Sequence, residues 1–318
     1  MRIVLAGATG VIGRPLTRQL LAAGHEVVGL TRTRAGVQAL QAAGADARQV
    51  DISSTSALAP LMAGADAVMH QVTALPARIG PRGVRRQLAP TNRLRREGTA
   101  LLLAAAEVAG VPRFIAQSVA FAYDGGPEGG PRDEDAPFAT EPPGPFVEGA
   151  AALRSLEGQV RAHPGGTVLR YGLFYGPGSA FAADGTTADD VRRRRVPLVG
   201  AGDAVASFVH VEDAAAATVA ALAGPPGTYN VVDDEPARGR EWLPVYAQAV
   251  GAPPPLRVPP FAAWLFGGTM ALHWSTRLAG ASNARAGAAL GWAPEIPSWR
   301  LGFALARHDA PAALPAPA

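Results

Sequence analysis

Residues 3–13 decide the fold of this chain, and they read IVLAGATGVIG. The apolar run predicts a short strand, glycines follow at positions 7, 10 and 13, and a helical pattern runs from Pro15 to Ala23 before Gly24. The first glycine permits a tight turn, the second lets the backbone approach a phosphate group, and the helix N-terminus offers free N–H groups. The stretch predicts a dinucleotide-binding turn, an ordinary glycine-rich turn being the alternative, and the expected contacts are Gly7, Thr9, Gly10, Val11, Ile12 and Gly13.

The alternation of strand and helix continues through the first 120 residues. Further strands are predicted at 27–30, 47–50, 67–70 and 113–116, and helices at 35–43, 55–62 and 99–109. Parallel strands need crossover helices, and right-handed crossovers produce a sheet that is covered on both faces. We therefore predict an α/β fold with a Rossmann-like, doubly wound parallel sheet. Later strands are predicted at 167–170, 207–211 and 228–232.

The domain organisation follows from this pattern. Residues 1–175, with 203–234 returning to them, are predicted to form the dinucleotide-binding Rossmann domain. Residues 176–202 and 235–306 are predicted to form a smaller, mainly helical substrate-binding region, which is rich in aromatic residues. Segment 124–145 is rich in glycine, proline and acids and too long for a simple connection, so we interpret it as a lid or substrate loop. The Ala- and Pro-rich tail 307–318 is predicted to be disordered.

The end of the second predicted strand indicates which dinucleotide is bound. An NAD-binding protein places an acid there for the ribose 2′-hydroxyl, whereas this chain has Thr-Arg-Thr-Arg at 31–34. The guanidinium groups of Arg32 and Arg34 suit a 2′-phosphate, which predicts NADP(H); the alternative is that they only cap solvent-facing loops. Asp51 and Ile52 follow the third strand and are expected to contact the adenine, although Asp51 is also a candidate helix cap.

Two residue types are missing, and their absence excludes several chemistries. The chain has no cysteine and no lysine, so all 29 basic residues are arginine. Thiolate nucleophiles, cysteine-bound zinc, Schiff-base lysines and a phosphate-loop lysine are therefore excluded. The six histidines are scattered and form no metal-binding motif, so we expect no metal site. No G-x-S-x-G motif of a serine hydrolase occurs.

Charge and hydropathy exclude other classes of partner. The formal net charge is only +3, and the dense run Arg192 to Arg195 lacks interleaved aromatics, so we interpret it as a solvated helix face and expect no nucleic acid. The apolar stretch 261–274 is shorter than the ~18 to 20 residues that span a bilayer. We expect a soluble, cytoplasmic protein without a leader and without a membrane partner. The pattern indicates no particular oligomeric state.

Several motifs in order along the chain resemble the short-chain dehydrogenase/reductase superfamily, in its extended or atypical branch, the NAD-dependent epimerase/dehydratase family. They are the glycine turn, DAVMHQVT at 66–73, EGT at 97–99, VPRFI at 111–115, LRYG at 169–172, YGPG at 175–178, SFVHVED at 207–213 and YNV at 229–231. The resemblance implies a nicotinamide cofactor. It also implies that the nicotinamide half is lined by segments containing Gln71, Val72, Thr73, Gln117, Ser118, Tyr171 and Leu173.

The catalytic triad of this family is not present. The family's reactions use a Ser or Thr and a Tyr-x-x-x-Lys pair, and the matching positions here fall on Val119, Gly149 and Leu153. Ser118 and Tyr123 are the predicted substitutes, because the alignment puts them near the nicotinamide. Tyr171 and His210 are weaker candidates, since Tyr171 is expected to present its backbone and His210 lies in a motif with a structural role.

The resemblance and the missing triad lead to one main functional prediction. We predict an NADPH-dependent ketoreductase that transfers hydride to an aromatic or apolar carbonyl of a secondary metabolite, similar to ketoreductases that tailor aromatic polyketides, such as angucyclinone ketoreductases. The proton would come from the substrate or from water. A non-catalytic NADP(H)-binding sensor is the alternative, and a sugar-nucleotide epimerase or dehydratase is the third possibility.

Overall fold

The structure is a computed structural model that describes residues 1–53, 58–80 and 83–308, with side chains to residue 305. Within these residues the strands, numbered along the chain, are β1 Arg2–Ala6, β2 Glu26–Thr31, β3 Asp46–Gln49, β4 Ala67–His70, β5 Arg113–Val119, β6 Gly166–Tyr171, β7 Leu173–Tyr175, β8 Leu198–Val199, β9 Val205–Ala206, β10 Phe208–His210, β11 Gly227–Val231, β12 Ala237–Arg238 and β13 Arg257–Val258. The helices are α1 Gly13–Ala22, α2 Arg34–Ala42, α3 Leu58–Met62, α4 Val84–Arg93, α5 Thr99–Val108, α6 Val147–Ala162, α7 Thr186–Arg192, α8 Val211–Ala220, α9 Gly239–Ala249, α10 Pro260–Thr276, α11 Ala284–Leu290 and α12 Trp299–His308. A π-helical segment, Leu94–Gly98, joins α4 to α5, and a 3₁₀ turn, Gly144–Phe146, precedes α6.

Seven of the strands form one parallel sheet in the order β11-β6-β5-β4-β1-β2-β3. The chain winds outward from β1 to β3, then returns to β4 on the other side of β1 and continues to β11. Ligands of such sheets bind where this direction reverses, outside the carboxyl ends of the strands. The reversal lies between β1 and β4, so the predicted α/β, Rossmann-like fold is confirmed and its crevice opens beside the glycine turn.

Each face of the sheet has its own apolar core because successive side chains of a strand point to opposite faces. In β1, Ile3 and Leu5 belong to one buried cluster, which also contains residues of α1 and α8. Val4 and Ala6 belong to the other cluster, with residues of α3, α5 and α6. The strand is therefore apolar at each of its buried positions, Ile3 to Ala6, as a strand covered by helices on both sides must be.

A second, aromatic core lies outside the large sheet. Tyr175, Phe208, Tyr246, Trp299 and Phe303 are all fully buried there and pack mostly edge to face or tilted. The predicted strand at 207–211 contributes to this region as β10, which pairs with β7 in a separate two-stranded sheet. Aromatic packing thus joins the segment that follows β6 to the C-terminal helices.

The C-terminal half has one feature that the sequence did not predict and one that corrects a prediction. Helix α10 is interrupted at Gly268, which has φ +72° and ψ −174°, and its first half leaves Phe261, Trp264 and Phe266 exposed. Helix α12 reaches His308, so the first two residues of the predicted disordered tail are helical. The rest of that tail, 309–318, lies outside the described residues, as do positions 55–57 of the helix predicted at 55–62.

Candidate functional site

The glycine turn has the geometry that a pyrophosphate cradle requires. Gly7 has φ +90°, and a Cβ there would lie 2.6 Å from the carbonyl oxygen of Gln71. At Gly13 a Cβ would lie 2.1 Å from the oxygen of Gly7, so the turn and the start of α1 are in close contact. The N–H of Gly10 donates to the Gly7 oxygen at 3.0 Å, which closes the turn. No side chain caps α1, but the Arg14 N–H donates to the Gly10 oxygen at 3.2 Å and Pro15 has no N–H, so few of the first N–H groups of the helix are open to an anion.

The two arginines after β2 lie at the surface, and the charge of Arg32 contributes to the lowered pKa of Asp51. Thr33, not an arginine, caps α2, because its hydroxyl accepts from the Gly36 N–H at 3.1 Å. Arg32 and Arg34 are exposed and form no ion pair with any residue that the structure describes. Their side chains are therefore available to a ligand. The NADP(H) assignment itself stays a prediction.

Asp51 and Ile52 occupy the loop after β3 and differ in their surroundings. Asp51 is exposed, and its Oδ1 accepts from the Ser53 N–H at 3.0 Å and from the Ser53 hydroxyl at 2.8 Å. These bonds hold the pKa of Asp51 below its usual value. Ile52 is buried with the core cluster that contains α5. The side chain of Ile52 points into the protein, so mainly its backbone is left to make the predicted contact with the adenine.

The segment after β4 packs directly on the glycine turn. The N–H of Gln71 donates to the Ala6 oxygen at 2.9 Å, and its side-chain Nε2 donates to the Tyr171 hydroxyl at 3.2 Å. That hydroxyl also shares a hydrogen bond of 2.7 Å with Thr218, and burial raises the pKa of Tyr171. Val72 follows at the same edge. The hydroxyl of Tyr171 is thus fully engaged, in line with the expectation that only its backbone faces a ligand.

The other predicted nicotinamide contacts lie on β5 and around β7. Gln117 is partly exposed near the carboxyl end of β5, in register with Leu169 of β6. Leu173 is half-buried at the start of β7, and Thr73 is exposed beyond β4. The fold brings β4, β5 and β6 side by side, so these residues approach one crevice. Their contacts with a cofactor stay predictions.

The two predicted catalytic hydroxyls belong to one buried polar network. Ser118 donates to Glu157 at 2.7 Å, and Glu157 receives two further bonds from Arg170, at 2.9 and 2.7 Å. Arg170 also donates to the Tyr123 hydroxyl at 2.8 Å, and Tyr123 donates to Asn230 at 2.7 Å. All five residues are buried. The network ties α6 to the ends of β5, β6 and β11.

These contacts bear on whether Ser118 or Tyr123 acts on a substrate. Burial raises the pKa of Tyr123 to about 12, although Arg170 acts in the opposite direction. The hydroxyl is therefore protonated at neutral pH, and it already has a donor and an acceptor. Ser118 is bonded to a carboxylate in the same way. Their catalytic role stays a prediction, and the contacts favour a structural role for both residues.

The positions of the family's triad are occupied by apolar groups that touch a common cluster. Leu153 is completely buried, and Val119 and Phe146 pack against the same cluster. At Gly149 a Cβ would lie 2.6 Å from the ring of Phe146, so that ring occupies the space of a side chain at this position. The three matching positions themselves carry no phenol and no ammonium group, and the phenol of the same cluster, Tyr123, is bonded to Arg170 and Asn230.

A narrow cleft opens beside this cluster, just beyond the end of β5. Segment 124–145 supplies one wall, and α10 supplies the other through His273 and Trp274. Burial, and to a lesser extent Arg277, lowers the pKa of His273, so its ring is neutral at pH 7. The lining residues are Phe121, Ala122, Tyr123, Asp124, Ala139, Glu141, Pro142, Pro143, Phe146, His273 and Trp274.

Sequence reasoning anticipated only part of this cleft. The composition of 124–145 identified the loop, but His273 and Trp274 are about 150 residues away along the chain and carried no motif. His210 has the structural role expected from its motif, because its Nδ1 accepts from the Glu212 N–H at 3.3 Å and caps α8. Among the described residues, no group of His, Asp or Glu side chains could hold a metal ion. None of the helices in the described ranges has the length and apolar character to cross a membrane.

Comparison with known proteins places this geometry in a family. Residues 3–231 match the NAD dependent epimerase/dehydratase family, and the chain belongs to it. Over 310 residues it is 44% identical to the 3-diazoavenalumate denitrifying reductase of a Streptomyces species, a match that covers 95% of this chain and 99% of that protein. It is 28% identical to the 4-hydroxy-2-methyl-3-oxo-4-farnesyl-3,4-dihydroquinoline-1-oxide ketoreductase of Stigmatella aurantiaca, over 79% of this chain and 74% of that one.

A solved structure agrees at the level of the fold. The human epimerase family protein SDR39U1 with NADPH superimposes with a TM-score of 0.76 and 21% identity, over 97% of this chain and all of that chain. The resemblance inferred from the sequence motifs is therefore confirmed. The family and its reductase relatives make this chain an oxidoreductase with a nicotinamide cofactor.

Proposed function

We propose that this protein is an NADPH-dependent reductase that replaces the diazo group of an aromatic compound by hydrogen. The observation that carries the proposal is the apolar cluster at Val119, Gly149 and Leu153, where the family's reactions require a proton donor. The diazo compound in the name of the 44% identical relative supports this substrate class.

The two candidate reactions differ in their need for a proton. Hydride addition to a ketone leaves negative charge on oxygen, and general acid catalysis contributes typically ~10²- to 10⁴-fold to such a step. When bound, the reduced nicotinamide supplies a hydride, which is two electrons and one proton. In an arenediazonium ion a C–H bond then forms as the C–N bond breaks, N₂ leaves, and the positive charge passes to the nicotinamide. This balance draws no proton from the protein, so no phenol or ammonium group is needed.

The chain's own part in this reaction is to bind and orient. The glycine turn with Thr9, Val11 and Ile12 would hold the pyrophosphate, while Asp51 and Ile52 would meet the adenine. Arg32 and Arg34 would hold the 2′-phosphate, which favours NADPH over NADH. Gln71–Thr73, Gln117 and Leu173 would border the nicotinamide, and the aromatic cleft beyond β5 would hold the substrate and exclude water.

Ketone reduction, the function expected from the sequence, is the second candidate. The ketoreductase relative from Stigmatella aurantiaca favours it, since that protein is named for a ketone substrate. In that case water or the substrate itself must supply the proton. An NADP(H)-binding sensor without turnover would have the same cofactor site. An epimerase or dehydratase of sugar nucleotides is disfavoured, because those reactions usually need the tyrosine base.

Turnover with isotope-labelled cofactor separates these candidates. The purified protein is mixed with NADPH deuterated at C4 and with 4-methoxybenzenediazonium, and N₂ release and the mass of the anisole formed are measured. We expect one deuterium at the carbon that held the diazo group, at a rate well above a mixture without protein. Turnover of ketones alone would establish the ketoreductase. NADPH binding without turnover of either class would identify the sensor.

A further inference from the structure

We propose that the cleft beyond β5 selects aromatic compounds that carry a positive charge. This selectivity rests on the proposed function and specifies the charge of its substrate. The cleft consists of the eleven lining residues given above. Two of them, Asp124 and Glu141, are acids, four of them are large aromatic residues, and none is an arginine. Such a lining attracts a planar cation by charge and by the faces of its rings.

The two carboxylates are held at the cleft in different ways. Asp124 accepts from the Thr140 N–H and hydroxyl, both at 2.7 Å, and from the Glu141 N–H at 2.9 Å. These bonds fix the carboxylate at the wall and fold the loop back on itself. Glu141 is exposed at the rim and forms no ion pair with any described residue. One acid is therefore positioned by the backbone, and the other is free to meet a ligand.

The aromatic walls suit a cation as well as a flat ring. The ring centroids of Phe121 and Trp274 are 4.9 Å apart, and Phe146 and Tyr123 complete the lining. A cation over such faces gains roughly 0.5 to 2 kcal/mol, depending on how far it is desolvated. As it stands, the cleft holds about one water molecule. A bound ring must therefore displace part of the lining, and Trp274 in that lining gives binding a fluorescence signal.

The positive groups near the cleft do not cancel the two acids at its lining. His273 is the only lining residue that can take a proton to become cationic, and it is neutral at pH 7. Arg277 acts on His273 but is exposed and is not part of the lining. Arg154 donates to the carbonyl oxygen of Ala139 and is also outside the lining. The charge that a ligand meets in the cleft is thus negative.

Binding of isosteric probes tests this inference without any turnover. The full chain, saturated with NADP⁺, is titrated with (4-hydroxyphenyl)trimethylammonium and with 4-tert-butylphenol, which have the same shape and differ by one charge. Binding is followed by calorimetry and by tryptophan fluorescence, with Trp274→Phe to assign the signal. We expect the cation to bind at least about tenfold more tightly than the neutral probe, and 4-hydroxybenzoate to bind more weakly than either.

Two carboxylate variants test which acid produces the preference for the cationic probe. Glu141→Gln should weaken binding of the cation about threefold and leave the neutral probe unchanged, as expected for one partly screened charge. Glu128→Gln is the matched control, because Glu128 is an exposed acid of the same loop outside the cleft, and it should change neither affinity. Asp124→Asn is the second variant, read together with the melting temperature because Asp124 also holds the loop.

The outcomes separate this inference from the proposed function. Equal affinity for the two isosteres, preference for the neutral or anionic probe, or no binding of any probe would overturn the cationic selectivity, even if the diazonium compound is reduced. Cation preference that falls about threefold in Glu141→Gln and is unchanged in Glu128→Gln supports the inference, even if the protein reduces only ketones. In that second case the proposed function fails and the charge selectivity of the cleft stands.

Discussion

The cofactor edge, which is the turn after β1, and the neighbouring triad region lie at the same end of one sheet. The cofactor edge keeps the pattern of the family, whereas the triad region departs from it. At the turn after β1, the structure requires glycine at positions 7 and 13, and the sequence supplies it. At the triad region, two strands along the sheet at the end of β5, valine, glycine and leucine occupy the positions that the resemblance matches to three polar catalytic groups. The glycine turn typical of the family is retained, whereas the side chains with which the family moves a proton are replaced at the matching positions.

This difference shows that the two tasks are physically separable. Cofactor binding depends on backbone approach and on free N–H groups, which the fold supplies by itself. Proton transfer depends on a few side chains with suitable pKa values, and replacing them leaves the fold intact. A reaction that needs no proton from the protein can therefore use the first region without the second.

The buried Glu157–Arg170 pair should have the largest effect, because it supports the triad region in place of catalytic contacts. Glu157→Ala leaves a buried guanidinium without its carboxylate, and such a loss costs about 3 to 5 kcal/mol in unfolding free energy. Urea denaturation gives the value. Glu97→Ala is the control, since its pair with Arg93 is on the surface, and it should cost less than about 0.5 kcal/mol. Similar costs for both variants would show that the buried network does not stabilise the fold.

Gly13→Ala should disturb the cofactor edge. The added Cβ would lie 2.1 Å from the Gly7 oxygen, so we expect a loss of about 1 to 3 kcal/mol in stability and more than about tenfold weaker NADPH binding. Thermal unfolding and a cofactor titration measure both effects. Gly158→Ala serves as the matched control, because its Cβ meets no atom within 4 Å on an exposed face of α6. It should stabilise the protein by up to about 1 kcal/mol. Normal cofactor affinity in Gly13→Ala would contradict the assignment of the glycine turn as the cradle of the pyrophosphate.

Arg32→Ala tests which dinucleotide the cofactor edge accepts. We expect NADPH to bind about tenfold more weakly and NADH to be unaffected, since only the 2′-phosphate loses a charged partner. Paired titrations with both cofactors give the ratio. Arg48→Ala is the control, because Arg48 is a surface arginine that pairs with Asp46 on β3. Equal affinity of the natural protein for NADPH and NADH would remove the basis of the phosphate assignment.

Tyr123→Phe should have the smallest effect on turnover. If the hydroxyl is structural, kcat changes less than about threefold, whereas loss of a general acid costs ~10²-fold or more. The same variant should lose about 1 to 3 kcal/mol of stability, because Arg170 and Asn230 both lose a hydrogen-bond partner. Steady-state rates and urea denaturation are measured on one preparation. A large loss of kcat with unchanged stability would restore Tyr123 as the proton donor.

Much of the fold could be predicted from local patterns. The strand at 67–70 has the predicted bounds, and β1, β2 and β3 lie within about one residue of theirs. Three of these strands, β1, β2 and β4, consist largely of apolar residues, so local sequence is sufficient for them. Residues 207–211 show the limit, because their apolar pattern does not reveal that β10 joins β7 instead of the large sheet.

The candidate site was less predictable than the fold. The chain carries Ser118 and Tyr123 close together in sequence, which suggested chemistry, but the partners that occupy their hydroxyls come from α6 and β11. His273 and Trp274 reach the cleft from α10 without any motif. Such contacts join residues far apart along the chain, so they depend on helix placement that no local pattern encodes.

The amino-acid sequence by itself determined the dinucleotide-binding sheet, the membership of the family and the absence of the tyrosine–lysine pair. Glycine spacing and residue inventory are local properties, and they act through backbone geometry and through the chemistry that each side chain can perform. The tertiary structure alone decided that Ser118 and Tyr123 bind Glu157 and Arg170, that Phe146 fills the space at Gly149, and that acids meet aromatic rings in one cleft. Burial and long-range packing set these partners, because a side chain acquires its surroundings only when distant segments come together.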